Sequence, residues 1–164
     1  MSRWLCLAAI LLAPAAGLLP AQAPGEKQPT VIMAPVGNVE VHPGRSTDLE
    51  LDFRIGTEFH INSNKPRADY LIPTVLKLTP APPITLGDVK YPPGEDMSFA
   101  FAPNEKLSVY SGDFAINALL KCAPRATPGT YPLKGELRFQ ACDHSACYPP
   151  RSIPVQFQVT VVAK

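Results

Sequence analysis

Charge is scarce in this chain and has no dominant sign. Only 18% of the 164 residues are Asp, Glu, Lys or Arg, with 15 basic side chains against 14 acidic ones. One of the basic residues, Arg3, lies in the first 23 residues, so the remainder has no net charge. With neither a basic patch nor a run of like charge, a nucleic-acid partner is excluded. Long apolar stretches are missing beyond the N-terminus, and no later segment approaches membrane-spanning length. Repeats are absent. Uninterrupted helical pattern is lacking as well, because 20 prolines break the chain into short segments. Cysteine is limited to Cys6, Cys122, Cys142 and Cys147.

The N-terminus reads as a secretory signal peptide. Arg3 gives a positive start, Trp4–Leu12 an apolar centre, and Ala15–Ala23 a small-residue cleavage zone. Cleavage falls after Ala21 or Ala23, and Cys6 leaves with the leader; no lipobox-like residues precede it. Residues 24–164 then form a single domain of ordinary size. Export, to the periplasm or beyond the cell, places Cys122, Cys142 and Cys147 where disulfides persist.

What is present is β-pattern. Leu49, Leu51, Phe53 and Ile55 alternate with polar residues, as do Val155, Phe157, Val159 and Val161. Further strands are expected at Thr30–Val36, Asn38–His42, Phe59–Asn62, Thr74–Thr79, Leu107–Tyr110, Phe114–Cys122 and Tyr131–Ala141. Turn pairs such as Pro43-Gly44, Pro93-Gly94 and Pro128-Gly129 separate them. Thr79–Pro83 reads as a proline-rich loop. Seven or more short strands favour an all-β, immunoglobulin-like β-sandwich.

Strand parity also orients the thiols. Cys122 shares the apolar series of Phe114, Ile116, Ala118 and Leu120 and is expected in the core. Cys142 continues the polar series of Lys134, Glu136, Arg138 and Gln140, so it is expected at the surface. Cys142 therefore pairs with Cys147, leaving Cys122 free. The spacing leaves a local staple and a redox pair both open. Loop-closure entropy gives the staple only about 2 kcal/mol, and an exposed sulfur suits in-line attack by a thiolate. His144 lies between the cysteines and, if protonated, favours a thiolate that adjacent Asp143 opposes; it is equally a solvated loop residue. Metal is the competing chemistry: Cys142, His144 and Cys147, with His60 or His42, supply soft ligands that suit copper(I). The usual two ligand pairs of zinc sites are not evident, so no metal or cofactor is expected.

The run GELRFQACDHSACYPP resembles the cysteine-bearing end of the N-terminal periplasmic domain of the thiol:disulfide interchange protein DsbD. FHINSNKP, DYLIPTVLKL, KYPPGE and LSVYSGDF follow that family's order, and the resemblance spans roughly Val36 to Val162. It implies an immunoglobulin-like sandwich whose Cys142 and Cys147 exchange electrons. Such a domain takes them from a membrane electron-transfer protein or a thioredoxin-like donor and reduces oxidised periplasmic proteins. The family shields its cysteines with an aromatic cap loop, which places Tyr110 of Val109–Gly112 as the cap. His60 and Asn62 share a strand face opposite Phe59 and Ile61, so they are expected outside the core. The matching strand of the family approaches the cysteines, giving His60 a part in tuning the thiol or supporting the cap, or simply in orienting the Asn62–Pro66 turn.

Two features depart from the family. Four residues separate the cysteines, one fewer than in the best-known members. With no multi-spanning or thioredoxin-like module following Val162, the domain is expected to meet its reductant as a separate protein. A non-catalytic periplasmic binding sandwich with a structural disulfide, and a copper-handling module, remain the alternatives.

Overall fold

The computed structural model describes residues 28–163, so the leader expected at 1–23 lies outside the described residues. Among the described residues the chain forms twelve strands and no helix. They are β1 (Val31–Met33), β2 (Val39–Val41), β3 (Ser46–Ile55), β4 (His60–Asn62), β5 (Val75–Thr79) and β6 (Ile84–Lys90). β7 (Glu95–Phe99), β8 (Ala102–Ser111), β9 (Asp113–Cys122), β10 (Gly129–Phe139), β11 (Ala141–Cys142) and β12 (Arg151–Val161) follow. No described helix is long and apolar enough to cross a membrane.

Three four-stranded sheets result, in the orders β1-β3-β9-β6, β2-β12-β10-β5 and β11-β4-β8-β7. The first two bury the alternating apolar residues that the sequence displays. Leu51, Ile55, Ile116 and Leu120 join Leu133, Leu137, Val155 and Val159 in one core, each at most 2% exposed. Burying side chains of this size contributes roughly 1.5–3 kcal/mol apiece. Gly135 allows β10 and β5 to approach closely, because a Cβ there would meet Lys77 O and lie 2.9 Å from Leu78 Cα. The fold is an all-β, immunoglobulin-like sandwich.

The third sheet contributes Ile61, Tyr110 and Ala141 to the same core. It also carries a smaller cluster of Leu71, Phe99, Leu107 and Val109. Two strands have no counterpart in the sequence pattern. β6 contains Gly87 and Asp88 and shifts register between Leu86 and Val89, which breaks its alternation. β7 is an edge strand, exposed from Glu95 to Ser98 and buried only at Phe99, so it offers no apolar face to recognise.

Candidate functional site

The cysteine-bearing segment begins where the chain changes sheets. β10 pairs with β12 as far as Phe139↔Arg151, and β11 then pairs with β4, Ala141 opposite Ile61 and Cys142 opposite His60. Gln140 spans the change. Its Oε1 accepts the Ile72 N–H at 3.2 Å and the Asn62 side-chain amide at 3.1 Å, and its Nε2 donates to the Tyr148 carbonyl at 3.3 Å. The switch of partner interrupts the pleat, so Ala141 and Cys142 are both buried. This corrects the parity expectation: Cys142 has no exposed surface, and the exposed cysteine is Cys147. The two are disulfide-bonded with their Cα atoms 3.9 Å apart, and among the described residues Cys122 is the free cysteine, buried in the core. Burial pushes the Cys122 thiol pKa up.

Asp143 closes the loop between them. Its Oδ1 accepts the N–H groups of Ser145 at 2.7 Å and Ala146 at 2.8 Å, and its Oδ2 accepts the Tyr148 hydroxyl at 2.7 Å. Backbone bonds from Asp143 N to Ala146 O and from Tyr148 N to Ala141 O complete the turn. The Tyr148 hydroxyl, then the Ser145 and Ala146 amides, hold the Asp143 carboxyl down at about 2. The loop conformation therefore has a hydrogen-bonded frame of its own beside the covalent bond. His144 is exposed within it.

His60 and Asn62 are buried, at 5% and 0% exposure, contrary to the expectation of a polar outer face. The reason is that β4 is an interior strand, flanked by β11 and β8, and both of its faces are covered. Phe99 stacks on the His60 ring with centroids 3.9 Å apart, while Asn62 donates to Ile72 O and Gln140 Oε1. Burial pushes His60 down to about 4, with the Asp143 carboxylate pulling the other way. At neutral pH the ring is uncharged, and its Nε2 is buried without a hydrogen-bond partner. It brings no positive charge to the cysteines.

Tyr110 is likewise a core residue, 3% exposed, with its ring stacked on Phe114. Its hydroxyl lies 2.7 Å from Asn64 Oδ1 and 3.1 Å from the Pro92 carbonyl, and accepts the Asn64 N–H at 3.2 Å. The cap assignment is corrected accordingly: a tyrosine committed to these partners is not an exposed shield. The aromatics that line a groove with Cys147 are Tyr70 and Phe101, the latter in the turn between β7 and β8 and stacked on Phe99. A groove of about 410 Å³ separates this turn from the loop, lined by Tyr70, Leu71, Phe101, Leu107, Gln140 and Cys147. The paired aromatics of Phe99-Ala100-Phe101 were the available signal, hidden because β7 itself has no strand pattern. Among the described residues no group of three or more His, Cys, Asp or Glu is placed to hold a metal ion.

No curated protein matches the chain. Among solved structures it is similar to the DsbD N-terminal domain of Neisseria meningitidis in the reduced form, at 23% identity over 68% of this chain and 74% of that one, TM-score 0.42. It is also similar to a structure of the complex between the DsbD N-terminal and PilB N-terminal domains of the same organism, at 22% identity, 66% and 73% coverage and TM-score 0.44. The family model described as thiol:disulfide interchange protein DsbD, N-terminal, matches residues 29–158, most of the sequence. By that match, the chain belongs to the family of DsbD N-terminal domains.

Proposed function

We propose that this domain, exported after removal of residues 1–23, relays reducing equivalents by thiol–disulfide exchange through Cys142 and Cys147. Its partners are a membrane electron-transfer protein or a thioredoxin-like protein on the donor side, and oxidised periplasmic proteins on the other. The observation that carries the reading is an asymmetry. Cys147 is exposed at the mouth of a groove, Cys142 is buried, and the loop that joins them has its own hydrogen-bonded frame.

Cys147, the exposed residue of the pair, is the one an incoming thiolate attacks in line. A donor thiolate attacks Cys147 Sγ, the Cys142–Cys147 bond breaks, and Cys142 leaves as a thiolate that takes up a proton. The donor's second thiol, as thiolate, displaces Cys147, so that two electrons and two protons have passed to the domain and the donor is oxidised. In the second half, the Cys147 thiolate attacks the client disulfide. Cys142 then attacks Cys147 Sγ, releasing the reduced client and restoring the intramolecular bond. Asp143, ionised throughout the neutral range, disfavours thiolates close to it. The buried, neutral His60 does not offset that effect.

Measuring the reduction potential of the pair, together with unfolding in both redox states, tests the reading. A potential between about −120 and −270 mV, with the fold retained on reduction, is expected. A potential below about −300 mV, with unfolding on reduction, would make the bond a structural staple.

A further inference from the structure

Among the described residues, two buried side-chain polar atoms have no hydrogen-bond partner, His60 Nε2 and Asn62 Oδ1. Both belong to β4, two residues apart and so on one face of it. A buried polar group left unsatisfied is destabilising, and native structures retain few of them. Asn62 is satisfied through its other end, because its amide nitrogen donates to Ile72 O and Gln140 Oε1.

The strand register decides what lies beside the His60 ring. His60 stands directly opposite Cys142 in the β4–β11 pair. Residues paired in this way project to the same side of a sheet, with Cβ atoms roughly 4.5–5.5 Å apart. On its other flank His60 pairs with Ser111, whose hydroxyl is already donated to Glu95 at 3.3 Å. Phe99 of the β7–β8 hairpin covers the ring face, with centroids 3.9 Å apart. His60 and Cys142 are therefore neighbours in a closed space, buried from water together.

In the disulfide, Cys142 Sγ carries no hydrogen and has nothing to donate. Reduction changes that. The S–S bond breaks, two electrons and two protons pass from the donor dithiol, and Cys142 becomes a buried thiol with one S–H to place. The ionised Asp143 next to it in the chain favours the thiol over the thiolate. Across the ladder the uncharged imidazole has one nitrogen able to accept. The oxidised state thus lacks a donor for His60, and the reduced state creates one in the residue opposite.

We propose that His60 is a positioning residue for the exchange reaction: in the reduced domain its Nε2 accepts a hydrogen bond from the Cys142 thiol, while its ring hydrogen stays on Nδ1. The proposal rests on the exchange reading above and adds to it the group that receives Cys142 when the disulfide opens. Two consequences follow from the pairing. The unsatisfied acceptor of the oxidised form is relieved on reduction, so His60 shifts the equilibrium toward the dithiol. The bond also holds the Cys142 proton in place and leaves Cys147 as the cysteine that ionises and attacks the client.

Nitrogen-15 NMR of the imidazole rings in the oxidised and reduced full chain tests the bond directly. On reduction, His60 Nε2 is expected to shift as an unprotonated nitrogen does when it gains a hydrogen bond, with Nδ1 protonated in both states. His60→Phe should lower the equilibrium constant for reduction by glutathione about tenfold, the size of one net hydrogen bond. That makes the potential about 30 mV more negative. His60→Gln, which keeps an acceptor, should recover most of the loss, whereas a role in packing alone would be met by Phe and not by Gln. An Nε2 signal that is the same in both redox states, or a proton on Nε2 in the reduced form, overturns the proposal. That comparison uses wild type and stands even where a variant fails to fold. A wild-type disulfide that can be reduced only when the chain unfolds overturns the exchange reading instead.

Discussion

Strands β3 and β9 pair over nine positions and β10 and β12 over eleven, whereas β4 meets β8 over three and β11 over two. The long ladders hold their register through alternating apolar faces, which a one-residue slip would turn outward. The short ones have little register of their own and depend on particular side chains. Gln140 ties β11 to the 62–72 region, Asp143 ties the cysteine loop to Tyr148, and Arg67 and Tyr70 tie the hairpin. In one molecule, then, long alternating ladders give the platform, and short buried ladders supplemented by polar bonds give the part that carries the cysteines. Local stability is lowest where exposed hydrogen bonds replace buried apolar contact.

The sharpest way to break this contrast is to damage the platform. Leu133→Ala, at a position with no exposed surface, should cost about 3–4 kcal/mol in denaturant unfolding and lower the stability of both redox states alike. The next effect belongs to His60. In the unfolded chain the ring takes a proton near pH 6.5, but in the folded protein only at about 4. The unfolded state therefore binds the proton first as pH falls. Stability is full above that window and decreases across it, by on the order of 2–3 kcal/mol between pH 7 and pH 4. His60→Phe should flatten that part of the stability-against-pH curve, and an unchanged slope would mean that the ring is not held neutral in the fold.

Reduction of the Cys142–Cys147 bond should cost less, about 2 kcal/mol, because the closed loop is short. Calorimetry of oxidised and reduced protein checks this, and a much larger loss would mean that the loop has no frame without the bond. Smallest is Cys122→Ala, expected to cost about 1 kcal/mol and to leave the rate of thiol exchange as it is. A changed exchange rate would connect the buried thiol to the site, which its place in the core does not.

The same division governs what the sequence could disclose. Alternation located β3, β9, β10 and β12 because their side chains answer to a single requirement, one face in and one face out. It also sent Cys122 inward. It failed at Cys142 because parity holds only while a strand keeps its neighbours, and the change from β12 to β4 at Gln140 leaves no mark on the hydrophobic pattern. His60 and Asn62 looked external for a related reason. Their alternation with Phe59 and Ile61 is real, but β4 is covered on both sides. β7 escaped because an exposed edge strand needs no apolar residue until Phe99. Tyr110 was placed near the cysteines by order along the chain, and the structure gives it the base of the hairpin instead. The family likeness was legible because its motif sits in the cysteine loop, where local bonds dictate local sequence.

The frame that Asp143 gives the loop also bears on timing. When a partner is joined to Cys147, the Asp143 bonds keep Cys142 close to the sulfur it must attack. Its effective concentration there exceeds anything a competing thiol in solution provides. The linked species is then short-lived by construction, and a partner that fails to complete the exchange is released promptly rather than held.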